Sequence, residues 1–126
     1  MMIIRVMLIV EATAFLTAAL THFGILTDGY KHRQAANAES IIGFVLFLGW
    51  ICTFVRPTWA NKAAISAHCF AVLGTVVGIF TIVVGVGPRT MPDIIYHACI
   101  LPLLLCGLSL SIQYRKNKAR SGSTHV

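Results

Sequence analysis

Four apolar stretches, at residues 3–23, 38–55, 63–86 and 93–112, constrain this chain more than any motif in it. A helix needs about 20 residues, at about 1.5 Å each, to cross a hydrocarbon core of about 30 Å. All four stretches are of that order. Lipid offers no partner to a backbone amide, so each segment must satisfy its own N–H and C=O groups as a helix. Charged residues make up 11% of the 126-residue chain, against roughly a quarter in an ordinary soluble domain. The reading is therefore all-α, a four-helix transmembrane bundle running up-down-up-down. One membrane domain spans residues 1–114, and a basic tail follows at 115–126.

Charge sets the expected orientation. Arg5, Arg56, Lys62 and the tail bases Arg115, Lys116, Lys118 and Arg120 fall on one side, and Lys31, Arg33 and Arg89 on the other. The side richer in Lys and Arg faces the cytoplasm, which places both termini there in a multi-pass protein of the inner (plasma) membrane. The net charge of +6 thus reads as a topology signal and an anchor on anionic lipid, with the bilayer as partner and no nucleic acid. Cys52, Cys69, Cys99 and Cys106 lie inside apolar runs and form no CxxC pair. They read as buried small hydrophobes, which removes the main support for thiol-oxidising chemistry.

The segment Gly85 to His97, GVGPRTMPDIIYH, is the densest in polar side chains. Gly85, Gly87 and Pro88 end the third span. Thr90 and Asp93 have capping-box spacing for the fourth, and Pro92 fits its first turn. Asp93, Tyr96 and His97 then share a face. Pro102 is expected to kink the span, and Asn37 to cap the second. Ala67, Ala71, Gly74 and Gly78 form a small-residue ridge, and Ala14 and Ala18 suit close approach on the first span. His32 reads as a solvated loop residue and His125 as part of an unstructured tail.

Sorting the polar residues by height gives two levels. At the outer level lie His22 from the first span, Glu39 from the second, Arg89 from the outer loop, and Asp93, Tyr96 and His97 from the fourth. At the inner level lie Glu11 and His68, each about 9 Å along its helix from a cytoplasmic base. A carboxylate at membrane depth needs a partner or a proton, so Glu11 and His68 are expected to meet as an intramembrane pair.

The outer cluster suggests binding of a small ligand, a divalent metal ion or haem. Histidine and carboxylate from different helices build metal sites in bundles, and His22 with His97 could supply axial haem ligands with Arg89 on a propionate. Transport is an alternative. A glutamate in the first of four short spans resembles the small multidrug-resistance exporters, a resemblance that implies proton exchange for a cationic substrate at Glu11. A third role is as accessory subunit of a larger membrane complex, or as a homo-oligomer. Nothing points to an enzyme, since no nucleophile and base stand at a recognisable spacing. Across residues 35–110, AESIIG, AHCFAVLGTVVG, GVGPRT and DIIYH together resemble a set of small bacterial four-span membrane proteins of no assigned activity. That resemblance implies the architecture and brings no chemistry with it.

Overall fold

The structure, a computed structural model, describes residues 1–123, with side chains through residue 121. It is all-helical. The helices are α1 (Met2–His22), α2 (Arg33–Val55), α3 (Ala60–Val84) and α4 (Met91–Ser123). All four are long and apolar enough to cross a membrane. The chain is thus a multi-pass membrane bundle, and apolar side chains such as Ile3, Phe44, Phe80 and Leu105 point outward from every helix, as lipid contact requires.

Each helix packs on the next in sequence, and α1 and α4 touch far less than consecutive helices do. The core is a thin column of Leu8, Phe15, Leu46, Ala64, Ala71 and Leu104. Small residues let the backbones close on it. A β-carbon on Gly49 would fall 2.7 Å from that of Ala67, and one on Gly74 would fall 2.6 Å from Ile42 Cδ1. Here the Ala67–Gly78 ridge acts as packing surface: Ala67 and Ala71 are buried, and Gly74 receives a neighbour's side chain. Ala14 and Ala18 behave differently and line a groove left between α1 and α4.

Several boundaries differ from expectation. α2 begins at Arg33, five residues ahead of 38, because the His32 side chain accepts the Ala35 N–H at 3.3 Å and caps the helix there. Asn37 therefore sits within the helix, and His32 is a cap rather than a bystander in the loop. α3 ends on Gly85, whose φ of 87° is left-handed and favours glycine. The amides of Val86 and Gly87 both return to the Thr81 carbonyl at 2.9 Å. α4 runs without interruption past Pro102, where the ring removes one backbone donor, and continues to Ser123 through the basic residues. The described part of the 115–126 tail is therefore helical, and His125 lies outside the described residues. At 33 residues α4 is about 50 Å long, so its last turns extend past the hydrocarbon.

The four cysteines correct another expectation. All are exposed on the outside of the bundle rather than packed within it. An apolar run covers every face of a spanning helix, and a thiol is as acceptable to lipid as to a core.

Candidate functional site

Three helices and one loop converge at the end of the bundle opposite the termini. His22 closes α1, Glu39 lies in the second turn of α2, and Asp93 stands in the first turn of α4. All three are buried, at 3%, 5% and 5% exposure. His22 Nδ1 lies 2.6 Å from Glu39 Oε2, and its Nε2 lies 3.0 Å from Asp93 Oδ1. The loop between α1 and α2 folds back through a bond from the His32 amide to the His22 carbonyl at 2.8 Å. That fold carries Tyr30 over the imidazole, where its hydroxyl donates to Asp93 Oδ2 at 2.6 Å. Burial, and then the Asp93 carboxylate, push the Tyr30 phenol up to about 12, so it remains a donor at any physiological pH.

Asp93 is fixed from a further direction. Its Oδ2 accepts the Thr90 N–H at 3.1 Å and the Thr90 hydroxyl at 2.5 Å, while the Asp93 amide reaches Thr90 Oγ1 at 3.4 Å. The capping box that starts α4 thus also orients the carboxylate that holds His22. A neutral imidazole has one N–H, whereas here both ring nitrogens face carboxylate oxygens. Either His22 is protonated between two carboxylates or one carboxyl carries the proton. The Glu39, His22 and Asp93 side chains then sum to one negative charge.

This chain of groups separates two cavities. A groove of about 680 Å³ between α1 and α4 is lined by His22, Asp93, Tyr30 and Tyr96 together with small apolar and threonine side chains. The Tyr96 hydroxyl is buried without a hydrogen-bond partner, and its ring meets Phe15 edge-on at 5.9 Å. A smaller cavity of about 150 Å³ between α2 and α3 is lined by Glu39 and His97. The carboxylate–imidazole–carboxylate bridge runs from one to the other.

The structure does not draw His97 and Arg89 into the cluster. His97 Nδ1 donates to the Asp93 carbonyl of its own helix at 2.8 Å, and its Nε2 lies where Gly78 leaves room on α3. Arg89 turns back onto α3, donating to the Ile82 and Val83 carbonyls at 2.7 and 2.6 Å. Those carbonyls close the negative end of α3, where a cation is welcome, and the Ile82 oxygen also accepts the Gly85 amide at 3.2 Å. The metal and haem readings do not fit this geometry. Among the described residues no group of three or more His, Cys, Asp or Glu is placed to hold a metal ion. Both His22 nitrogens are engaged, and His22 and His97 line different cavities.

Tyr30 escaped the sequence reading, because a tyrosine in a loop carries no periodicity. The Asp28-Gly29 turn just before it was the available hint that the loop doubles back, and Gly29 does take a left-handed φ of 83°.

Nearer the end that carries the termini, Glu11 and His68 face each other, both wholly buried. Glu11 Oε2 is 3.0 Å from His68 Nε2, but without hydrogen-bond alignment, and Glu11 Oε1 has no partner. His68 Nδ1 bonds the Ala64 carbonyl at 2.7 Å and so must carry a hydrogen. A second proton, on Nε2 or on the carboxyl, would leave the pair with no net charge, as burial at membrane depth favours. Gly107 makes the approach feasible, since a β-carbon there would collide with the His68 ring and fall 2.8 Å from Glu11 Oε1. No family model, curated protein or solved structure matches the chain.

Proposed function

We propose that this chain binds a small amphipathic cation, a lipophilic amine or its like, in the groove between α1 and α4, with proton occupancy of the Glu39–His22–Asp93 bridge linked to binding. The observation that carries this reading is the buried imidazole held between two carboxylates at the groove. Three titratable groups bearing one net negative charge attract a cation. The lining of alanine, threonine and tyrosine takes an apolar chain, and Tyr96 offers an unpaired donor to an oxygen on the ligand. A cation arriving beside Asp93 disfavours the imidazolium, so a proton leaves through Glu39 toward the opposite cavity. With the basic termini cytoplasmic, in a bacterial inner membrane, the groove opens toward the outer leaflet.

Binding is tested with decylammonium against decanol on the purified chain in lipid nanodiscs. The amine is expected to bind at least about tenfold more tightly, with release of protons to a weakly buffered medium, and Glu39→Gln should remove both the preference and the release. Equal binding of amine and alcohol by the native chain overturns the reading. Transport through Glu11 has less support, since that carboxylate is sealed against His68 and lines none of the three cavities described. The accessory-subunit reading leans on the Ala67–Gly78 ridge, which packs inside this bundle, with Ala67 and Ala71 buried and Gly74 against Ile42.

A further inference from the structure

We infer that the end of the bundle carrying the termini holds a second site, a phosphate-binding cavity built from Arg5, Lys62, Arg115 and Lys118. The cavity measures about 520 Å³ and lies where the tops of α1, α3 and α4 surround the turn after α2. Four bases line it, and none of the chain's four acids does. Like charges gathered around a void repel one another, and an anion between them relieves that repulsion. Two of the four are held in place by contacts of their own. Arg5 is held by Nε and Nη2 bonds to Thr53, at 3.1 Å to the hydroxyl and 2.6 Å to the carbonyl, with its guanidinium 4.1 Å from the Phe54 ring centroid. Lys62 extends over Trp59, with its ammonium 5.3 Å from the ring centroid.

Two further observations point the same way. α3 starts at this cavity with no side-chain cap on Trp59 and no acid in its first turn, so its positive end and free amides stand uncompensated. Asn61, in that first turn, lines the cavity and has a buried Oδ1 with no hydrogen-bond partner. The bases and the helix end ask for anionic oxygens, whereas Oδ1 asks for a donor. A phosphate bearing a hydroxyl or ammonium nearby satisfies both. Because the cavity sits where the apolar part of α4 stops, at Tyr114 and Arg115, it lies at headgroup depth. The occupant's chemistry is a glycerophosphate, carried on a lipid or free. Its lining shares no residue with that of the groove at the other end.

The test uses the full chain in detergent, with its melting temperature read from tryptophan fluorescence during titration with phosphatidylglycerol, phosphatidylcholine or free glycerol 3-phosphate. Phosphatidylglycerol is expected to raise the melting temperature and phosphatidylcholine to leave it nearly unchanged. The pair Arg115→Gln with Lys118→Gln should need about 30-fold more phosphatidylglycerol for the same rise. The control pair Lys116→Gln with Arg120→Gln, which removes equal charge outside the cavity lining, should respond as the native chain does. A response to free glycerol 3-phosphate assigns the site to the phosphate alone, and a response to the lipid only assigns it to a headgroup. Absence of both responses overturns the inference. Equal losses from the two pairs also overturn it, because the response would then belong to the tail's overall charge. Should the cavity pair fold poorly, native mass spectrometry of the unmodified chain decides, and equal retention of both lipids refutes the site.

Discussion

Separating Glu11 from His68 should be among the costlier single changes in the bundle. The atoms stand 3.0 Å apart with both side chains wholly buried. At an effective dielectric constant of about 20, opposite unit charges at that distance attract by about 5 kcal/mol. Removing one member of a buried pair typically costs about 3–5 kcal/mol, because the survivor loses its partner without regaining water. We expect Glu11→Leu and His68→Leu each to lose stability in that range, measured by dodecyl sulfate unfolding of the chain in mixed micelles. The double variant should lose well under the sum, since it leaves no stranded polar group. Should the proton reside on Glu11 and the pair be uncharged, each single loss falls to about 1–3 kcal/mol with the coupling retained. Single effects that add to within about 0.5 kcal/mol would mean that the two groups do not interact, and would refute the argument from burial.

Other consequences are smaller and equally specific. Gly107→Ala should destabilise by about 1–3 kcal/mol in the same unfolding assay, because its methyl group enters the space between Glu11 and His68. In a Glu11→Leu background that penalty should change by more than measurement error. Arg89→Gln should weaken the end of α3 by about 1 kcal/mol without altering amine binding, as read by hydrogen exchange at Ile82 and Val83 and by titration. Tyr30 titrates above its ordinary value, so its neutral form is favoured by folding. The stability from its bond to Asp93 is fully present below pH of about 10 and lost as pH rises toward about 12. Tyr30→Phe should remove that alkaline loss, and an unchanged stability curve between those pH values would exclude the bond.

Element type was legible because lipid simplifies the problem: a long apolar run must be a helix, and turn residues such as Gly85 mark where it stops. Height was legible for the same reason. His22, Glu39 and Asp93 could be placed at one level by counting residues from the span ends, and Glu11 and His68 at another. Azimuth was not legible. Whether His97 meets His22 depends on how far α4 is rotated about its own axis, and no residue count supplies that angle. Arg89 failed for a different reason, since a long side chain in a turn can reach either the cluster or the carbonyls of the helix just ended. The start of α2 was misplaced by reading Asn37 as the cap, when His32 offered its ring nitrogen five residues earlier. The outward position of the cysteines was equally hidden, because apolar sequence surrounds a spanning helix on all sides.

The unbroken course of α4 joins two places that otherwise share nothing. Asp93 in its first turn and Lys118 near its far end ride on a single rod crossing the full thickness of the bilayer. A shift of the helix as a rigid body would therefore carry both ends together. Pro102, with one rung missing from the ladder, marks where any bend in that rod would fall.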